Sequence, residues 1–531
     1  MLLNFSIILL AILSSVSAIW NLDVNPMHAC RFFTLFSVNL AFFTLLSSVF
    51  LKRKKLLSAT LLTLVFIVTF SLTLQIRRGY VITPEVLYAA LHPENNEFLT
   101  IMSIYDYIIV IFVPVIATFI LYCNRRKLAA NFNKIYLSFL GICIISTCVI
   151  CFAVPISYIS KNDIDAKNID NSRYFLQQII FTPPVNIIRS FYTILSASNS
   201  DKNNQPLEVY MPKNSGDDTL KIYYIIGESV RFDRLGINGY KKNTTPNLAK
   251  ELKNGNLINF RKVNKSCDIT TSRSVPCMLS GSQDGTPYNL PSIFKTLGFN
   301  VVFRTPNNQN VFNSIKKSII LNTDATFVNY SNDADILKFA GQDLDKYHGK
   351  KVLNIIQMRG SHDIYNIQDR VRNKKNLLKP HCQHSYSAIE CRDTESFEQM
   401  NNSYDNTIVS TDEIFGRLFD LIRHENAILF FASDHAELMG EEGYVGHGFT
   451  KPGGEKVPQQ YDIPVFIWAS NSYISKHGEV IRQISRHAHN PTNHLQLYKS
   501  IIACNKISVK NLDLTGGYCN QTNPALATRL I

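Results

Sequence analysis

Residues 220–228 read LKIYYIIGE, a short apolar run with β-branched and aromatic residues that ends in Gly-Glu. Similar runs recur further along the chain, at NVVFR (300–304), KVLNIIQM (351–358), AILFFASDH (427–435) and IPVFIWAS (463–470). Short continuous apolar runs of this kind are typical of strands that are buried on both faces of a sheet.

Amphipathic helical patterns lie between these predicted strands. The clearest is NTIVSTDEIFGRLFDLI (406–422). A helix there would place six apolar residues on one face: Ile408, Ile414, Phe415, Leu418, Leu421 and Ile422. Buried strands that alternate with helices predict an α/β domain with a largely parallel central sheet.

The first 160 residues predict a membrane domain. The chain has 531 residues, 46% of them hydrophobic, and this part contains apolar runs near residues 2–20, 32–51, 56–76, 103–123 and 135–158. Each run is long enough for a helix that crosses a hydrocarbon core of about 30 Å. No Lys or Arg precedes the first run, as the positive region of a signal peptide would require. All five are therefore predicted to be transmembrane helices.

Basic residues predict the orientation of these helices. Lys and Arg cluster after the second span, at residues 52–55, and after the fourth, at residues 125–127. Both connections and the N-terminus are then cytoplasmic, and everything after about residue 160 is exported. We expect a membrane domain at 1–160 and an exported domain at 216–531. Residues 161–215 would form interfacial helices and a linker, or equally a buried linker packed on the exported domain.

Six of the eleven cysteines fall in the exported part, as three sequence-local pairs: Cys267, Cys277, Cys382, Cys391, Cys504 and Cys519. An even number of cysteines on the non-cytoplasmic side indicates disulfides. Six cysteines allow 15 pairings, and pairing of nearest neighbours is the simplest. No CxxC spacing supports a zinc finger.

The first cysteine pair encloses a loop that is rich in hydroxyl groups, CDITTSRSVPC (267–277). Its hydroxyl residues are Thr270, Thr271, Ser272 and Ser274. Such a loop is either a surface turn that a disulfide stabilises, or a means of holding one hydroxyl still for chemistry. The residue types alone do not distinguish these hydroxyls.

Acidic and histidine residues follow the predicted strands. Glu228, His362, Asp434 and His435 come directly or shortly after strands, and His447 lies twelve residues beyond His435. Ligands of open α/β sheets gather at the carboxyl ends of the strands. Glu228, Asp434 and His435 could supply the three protein ligands of a catalytic zinc. Each residue alone has an ordinary interpretation as a capping or loop residue, so the prediction depends on their combination.

Several motifs together resemble the phosphoethanolamine transferases of Gram-negative bacteria. They are IIGESVRFDRLGINGYKKNTTPNL (225–248), KSCDITTSRSVPCMLS (265–280), GSH (360–362), YDNTI (404–408) and SDHAELMGEEGYVGHG (433–448). This family includes enzymes that add phosphoethanolamine to lipid A and cause polymyxin resistance. The resemblance implies an inner-membrane protein with five spans and a periplasmic domain of the alkaline-phosphatase/sulfatase type.

The resemblance also implies roles for individual residues. Glu228, Asp434 and His435 match the zinc ligands of the family, and Thr271 matches the nucleophile that also contacts zinc. His362 and His447 match histidines around the phosphate and the leaving group. The pairs Cys267–Cys277 and Cys382–Cys391 match family disulfides, whereas Cys504–Cys519 is an addition.

The implied reaction is zinc-dependent, with one or two zinc ions. Phosphoethanolamine would pass from phosphatidylethanolamine to Thr271 and then to lipid A or another lipopolysaccharide sugar. A net charge of +13 suits an anionic lipid partner, although the cytoplasmic basic loops account for much of it. No nucleic-acid partner is expected.

The chain departs from the family pattern at several positions. Gln357 stands where many relatives have histidine, and Arg273 lies in the hydroxyl loop. Positions that usually contact the donor head group align with Ala89, Pro93 and Glu97. Asp106, near the outer edge of the fourth span, is a further candidate polar contact.

Three other functions share parts of this pattern. A phosphoglycerol transferase of the lipoteichoic-acid type would share the spans and the threonine, but the disulfides favour the phosphoethanolamine enzymes. A soluble sulfatase or phosphatase would not need five spans, and the Cys/Ser-x-Pro-x-Arg signature of the sulfatases is absent. A catalytically silent scaffold should have lost a ligand or the threonine, and all are present.

Overall fold

The structure is a computed structural model that describes the following residues: 12, 59, 62–63, 65–73, 108–116, 207–212, 218–283, 288–305, 326–329, 332–362, 365, 377–383, 388–449 and 456–519. The chain divides into two compact units. One comprises Met1–Ala197 and Phe449–Val457, and the other comprises Ser198–Gly448 and Pro458–Ile531.

In the first unit, the described parts of the third and fourth predicted spans, residues 65–73 and 108–116, are helical. Across the described residues, no helix has both the length and the apolar character that crossing a bilayer requires. Apart from the single helical positions 12, 59, 62 and 63, the remainder of the five predicted spans lies outside the described residues, as do residues 161–206 and the candidate donor contacts Ala89, Pro93, Glu97 and Asp106. The predicted boundaries at residues 160 and 215 therefore stay predictions.

The second unit contains a central sheet of seven strands. In chain order we label them β1 (Lys221–Gly227), β2 (Leu257–Asn259), β3 (Asn300–Thr305), β4 (Thr326–Asn329), β5 (Val352–Gln357), β6 (Ala427–Ser433) and β7 (Val465–Ala469). Their order across the sheet is β2-β7-β6-β1-β5-β3-β4. The five strands predicted from the sequence are all present, whereas β2 and β4 were not predicted.

Most of the sheet is parallel, but β7 runs opposite to both of its neighbours, β6 and β2. The sheet is therefore mixed, which qualifies the prediction of a largely parallel sheet. The pairs β1–β5, β1–β6, β3–β5 and β3–β4 are parallel. In the pairing of β1 with β6, Gly227 lies opposite Ser433, so the residues that follow these two strands emerge side by side.

Helices cover both faces of the sheet. They are α1 (Pro246–Asn254), α2 (Thr271–Ser280), α3 (Leu290–Thr296), α4 (Asp335–Lys346), α5 (Ala388–Thr394), α6 (Phe397–Ile422), α7 (Asn471–Lys476), α8 (Gly478–His487) and α9 (His494–Cys504). Ile222, Tyr224 and Ile226 of β1 pack with α2, α3 and α7–α9, whereas Tyr223 and Ile225 pack with α1 and α4–α6. Since successive side chains of a strand point to opposite faces, β1 contributes to both hydrophobic cores.

Short elements complete this unit. The two-residue strand Val209–Tyr210 pairs with Ser508–Val509, Leu438–Met439 with Val445–Gly446, and Asn264–Lys265 with Asp462–Ile463. Single-turn 3-10 helices are formed by Phe232–Arg234, Gly236–Asn238, Glu441–Gly443 and Pro458–Tyr461.

Helix α6 is longer than predicted and its buried face differs. It begins after Ser396, whose side chain accepts a hydrogen bond from Gln399 N. Leu421 was predicted to lie on the buried face, but it is 39% exposed, so that prediction is wrong. Ile414, predicted for the same face, is partly buried. At about 100° per residue, Leu421 lies about 120° around the helix from Phe415, outside the buried face.

Candidate active site

Glu228 follows the carboxyl end of β1 and is 3% exposed. The chain turns sharply there, because Ser229 has a positive φ of 59°. Ser229 Oγ donates a hydrogen bond to Glu228 Oε1 at 2.9 Å. A Cβ atom on Gly360, which has a φ of 52°, would lie 2.8 Å from the carbonyl oxygen of Glu228. The close packing of this glycine holds the backbone of Glu228 in place.

Asp434 and His435 follow the carboxyl end of the neighbouring strand β6, and both are fully buried. Asp434 N donates to the carbonyl oxygen of Gly227 at 2.9 Å, which continues the pairing of β1 and β6 by one residue. His435 Nε2 lies 3.3 Å from Glu228 Oε1 and 3.4 Å from Asp434 Oδ2. The prediction that strand ends bring these three side chains together agrees with this geometry.

Thr271 is the first residue of α2, and its hydroxyl points into this group. Thr271 Oγ1 donates to Glu228 Oε2 at 3.0 Å and lies 3.2 Å from His435 Nε2. Ser274 Oγ, in contrast, donates to Asp268 O within the loop. The side-chain oxygens of Thr270 and Ser272 have no hydrogen-bond partner in the described part of the chain. Among the four hydroxyls of the loop, Thr271 is therefore the one that contacts the acidic and histidine group.

The Glu228, Asp434 and His435 side chains are suited to hold a metal ion. One potential ligand atom from each lies within 4.8 Å of the others. Asp434 Oδ2 is buried without a hydrogen-bond partner among the described residues. Two carboxylates and one imidazole form a donor set that zinc accepts. The residues present thus fit a divalent cation.

Burial shifts the pKa values of this group strongly. Desolvation raises the pKa of Glu228 well above its usual range, and the charge of Asp434 adds to that effect. Desolvation also raises the pKa of Asp434. For His435, desolvation followed by the charge of His447 holds the pKa well below its usual value. A bound cation would favour ionised carboxylates and a neutral imidazole, because both are the metal-binding forms.

The two further predicted histidines lie beside this group. The ring centroids of His447 and His435 are 4.1 Å apart, and those of His362 and His447 are 5.5 Å apart. His362 and His447 can also form a ligand group with Glu228, as can His435 and His447 with Glu437. The structure therefore brings together all six predicted site residues: Glu228, Thr271, His362, Asp434, His435 and His447.

Glu437, which was not predicted as a site residue, is fully buried beside His447. Glu437 Oε2 lies 2.8 Å from His447 Nδ1, and Glu437 Oε1 accepts a hydrogen bond from the Tyr365 hydroxyl at 3.0 Å. Burial acts to raise the pKa of Glu437, but the charge and hydrogen bond of His447 outweigh it and hold the pKa below its usual value. The sequence did contain a signal for this residue, because Glu437 lies only two positions after the predicted ligand His435.

Arg273 and Gln357, where the chain departs from the family pattern, have ordinary protein contacts. Arg273 Nη2 donates to Gln283 Oε1 at 2.7 Å, and Arg273 Nε lies 3.3 Å from Asp268 Oδ2. Gln357 is fully buried, and its Oε1 accepts a hydrogen bond from the Thr305 hydroxyl at 3.0 Å. Arg273 thus supports the hydroxyl loop from its outer side.

Three disulfides join cysteines that are neighbours in the sequence. Cys267 is bonded to Cys277, Cys382 to Cys391 and Cys504 to Cys519. The first bond connects the start of the hydroxyl loop to α2. It therefore restrains the segment that carries Thr271.

The sulfatase family model matches residues 221–507, more than half of the chain. The predicted resemblance to a sulfatase-type domain is confirmed by this match. The match begins at β1 and ends three residues after α9, so it includes every residue of the candidate site.

The matches to curated relatives cover about half of each chain. The chain is 30% identical over 321 residues to the Kdo(2)-lipid A phosphoethanolamine 7''-transferase of Salmonella typhimurium, covering 56% of this chain and 53% of that protein. It is 28% identical over 276 residues to the phosphatidylethanolamine transferase Mcr-2 of Escherichia coli, covering 47% and 49%. The chain thus spans about half the length of the curated relatives it matches.

A solved structure shares the fold over nearly the whole chain. It is the integral membrane protein lipooligosaccharide phosphoethanolamine transferase A (EptA) from Neisseria meningitidis. The TM-score is 0.72 at 18% identity, and the match covers 95% of this chain and 96% of that one. At this identity the likeness shows the fold alone.

Proposed function

Because this chain belongs to the sulfatase family, we propose that it is a zinc-dependent phosphoethanolamine transferase that uses Thr271 as its nucleophile. The donor is phosphatidylethanolamine, and the acceptor is lipid A or another sugar of lipopolysaccharide. The observation that carries the proposal is the contact of Thr271 Oγ1 with Glu228 Oε2 and His435 Nε2, at 3.0 and 3.2 Å. The names of the relatives support phosphoethanolamine as the transferred group.

Glu228, Asp434 and His435 would hold the zinc ion next to Thr271. A zinc ion at this position would lower the pKa of the threonine hydroxyl and stabilise charge on the phosphoryl group. The burial of all three ligands excludes water, which strengthens every electrostatic interaction in the site. Their attachment to two neighbouring strands fixes their separation.

In the first step, Thr271 Oγ attacks the phosphorus of phosphatidylethanolamine. The new Oγ–P bond forms as the bond from phosphorus to the diacylglycerol oxygen breaks, which leaves phosphoethanolamine on Thr271. The hydroxyl proton of Thr271 points to Glu228 Oε2. At the start of α2, Arg273 N and Ser274 N donate to the carbonyl oxygen of Thr270, so the N–H groups of Thr271 and Ser272 would be the ones that donate to phosphoryl oxygens.

His362 and His447 would protonate the leaving oxygen and neutralise phosphoryl charge. The hydrogen bond with Glu437 occupies Nδ1 of His447, so proton exchange with substrate falls to Nε2. Histidine is the most common general acid and base in enzymes. In the second step, a phosphate or hydroxyl oxygen of the acceptor attacks phosphorus and releases Thr271.

Both substrates are lipids, which agrees with the predicted arrangement of the chain. A five-helix inner-membrane domain at 1–160 and an interfacial segment at 161–215 would keep the periplasmic domain at 216–531 near the outer leaflet. The three disulfides suit an oxidising compartment.

Mass spectrometry of lipid A and core oligosaccharide tests the proposed function. Gram-negative cells that lack their own phosphoethanolamine transferases would express the wild-type chain or the Thr271→Ala variant. We expect a phosphoethanolamine addition only with the wild-type chain. Absence of the addition from every envelope glycan would refute the transferase, and a phosphoglycerol addition would support the alternative donor.

A further inference from the structure

His494, the first residue of α9, connects two parts of the candidate site that are far apart in sequence. Its side chain is fully buried. His494 Nε2 lies 2.7 Å from the carbonyl oxygen of Ser433, and Nδ1 lies 3.1 Å from the backbone nitrogen of Cys267. These partners are 61 and 227 positions away along the chain.

The two contacts define the protonation of the ring. A carbonyl oxygen can only accept and a backbone N–H can only donate, so Nε2 must carry the proton and Nδ1 must be bare. Burial, which disfavours the charged form, lowers the pKa of His494 to about 4. At neutral pH the ring is therefore neutral, and one tautomer satisfies both hydrogen bonds.

Each partner of His494 leads directly to reacting groups. Ser433 ends β6 and immediately precedes Asp434 and His435. Cys267 begins the loop that leads to Thr271 and is bonded to Cys277 in α2. The imidazole ring is thus a rigid spacer between the backbone of the metal-ligand strand and the backbone of the nucleophile loop.

The segment before His494 reinforces this connection. Thr492 N donates to Asn264 Oδ1 at 3.0 Å, and Lys265 N donates to the carbonyl oxygen of Thr492 at 3.0 Å. Lys265 and Asn493 also form a parallel bridge. Residues 492–494 therefore run beside residues 264–267, and the His494 ring extends that pairing inward to Ser433.

We propose that His494 is a positioning residue that sets the separation between Thr271 and the Asp434–His435 pair. The proposal rests on the proposed function of the site. Among the described residues, the recorded hydrogen bonds of the His494 ring go to Cys267 and Ser433 and not to the nucleophile or the ligands, so His494 would act through these two residues. A displacement of a nucleophile by about 1 Å can reduce the rate about 100-fold.

Three substitutions separate the two contacts of the ring. His494→Leu removes both hydrogen bonds and keeps much of the apolar volume. His494→Asn places an amide oxygen near the position of Nδ1 and can still accept from Cys267 N. His494→Gln places an amide nitrogen near the position of Nε2 and can still donate to Ser433 O. His489→Leu, at an exposed histidine five residues earlier, is the matched control.

Steady-state transfer by the purified full-length chain in detergent is the first measurement. We expect His494→Leu to lower kcat about 100-fold, the size expected for a misplaced nucleophile. The KM for phosphatidylethanolamine and the zinc content should stay near the wild-type values, because His494 contacts neither. The kcat of His494→Asn and that of His494→Gln should each lie between the values of His494→Leu and the wild type. The kcat of His489→Leu should equal that of the wild type.

Hydrogen exchange at the Cys267 amide is the second measurement, and it needs neither zinc nor substrate. We expect slow exchange in the wild type and in His494→Asn, and fast exchange in His494→Gln and His494→Leu. This measurement also separates the two proposals: a wild-type chain that transfers nothing refutes the proposed function, while exchange still reports whether His494 holds Cys267.

Three results would overturn the positioning role. The first is a folded His494→Leu variant with wild-type kcat. The second is equal loss of kcat in the Leu, Asn and Gln variants, which would indicate that the ring only fills space. The third is unchanged exchange at Cys267 in the variants that lack the Nδ1 acceptor. If His494→Leu does not fold, the Asn and Gln variants decide between these outcomes.

Discussion

The hydroxyl of Thr271 donates a hydrogen bond to Glu228 Oε2 across 3.0 Å, although 43 positions separate the two residues. Glu228 follows a buried strand, whereas Thr271 begins a helix that packs on one face of the same sheet. The contact exists because the carboxyl end of β1 and the N-terminus of α2 meet at one edge of the sheet. It places a hydroxyl beside two carboxylates and an imidazole in a buried site.

A covalent intermediate on Thr271 is the first expected consequence. When the purified chain is incubated with phosphatidylethanolamine without an acceptor, we expect phosphoethanolamine on the peptide that contains Thr271. Fragmentation mass spectrometry would locate it. Ser272→Ala is the matched control and should keep the modification, because Ser272 Oγ has no hydrogen-bond partner among the described residues. Modification of Thr270 or Ser272 instead would contradict the assignment.

The sequence predicted the parts of the site that depend on local patterns. Glu228 and Asp434 each follow a run of residues that are buried on both faces of the sheet. Since the carboxyl ends of neighbouring parallel strands meet at one edge, the general rule for α/β sheets was enough to place them together. The hydroxyl loop was recognised from its two cysteines. The choice of Thr271 among its hydroxyls, however, depended on the resemblance of the sequence motifs to a known family.

Long-range contacts explain what the sequence did not predict. The contact of His494 with Cys267 spans 227 positions, and no periodicity or motif indicates it. The reversed direction of β7 likewise depends on the path of the chain between residues 434 and 464, not on the composition of the strand. Leu421 is apolar and yet exposed, because the width of the buried face of α6 is set by the elements that pack on it.

Loss of metal from an Asp434→Asn variant is the second prediction. The substitution removes one of the two buried carboxylates, and the remaining amide is a poor zinc ligand. We expect zinc content, measured by elemental analysis of the purified chain, to fall severalfold or more. Asp393→Asn changes an exposed aspartate and should keep the wild-type content.

The same site should lose zinc as the pH falls. Desolvation raises the pKa of both Glu228 and Asp434, so protons compete with the metal at a higher pH than at ordinary carboxylates.

Chelation should also lower the melting temperature of the wild type, because the metal binds the folded state. Equal metal content in wild type and Asp434→Asn would show that the ion is held elsewhere.

Glu437→Gln tests the support of His447. The carboxylate of Glu437 accepts from Nδ1 of His447 and from the Tyr365 hydroxyl. The amide keeps the shape but removes the charge that stabilises protonated His447. We expect kcat to fall about 10- to 100-fold, at most the lower end of the usual contribution of general acid–base catalysis, because His447 itself remains, with little change in KM.

Glu442→Gln, an exposed acid in the turn after Glu437, is the control for this substitution and should leave kcat unchanged. Tyr365→Phe removes only the second hydrogen bond of Glu437 and should have a smaller effect. A Glu437→Gln variant with wild-type kcat would show that His447 needs no charged partner.

Asp412 of α6 predicts a pH dependence of stability that is separate from the active site. Its carboxylate accepts hydrogen bonds from Asn247 N and Leu248 N at the start of α1, both at 2.9 Å. Desolvation outweighs these hydrogen bonds and raises the pKa of Asp412 from 3.8 to about 6. The folded state therefore binds this proton more tightly than the unfolded state does.

The stabilising effect of that proton is complete below about pH 4 and is lost as the pH rises through about 6. At 1.36 kcal/mol per pKa unit, the change amounts to about 3 kcal/mol in the free energy of unfolding. The melting temperature of the wild type minus that of Asp412→Asn should therefore decrease between pH 4 and pH 7. The same difference for Asp420→Asn, an exposed position on α6, should show no such shift. A constant difference for Asp412→Asn across this range would mean that the buried carboxylate is ionised throughout, stabilised by its hydrogen bonds to α1.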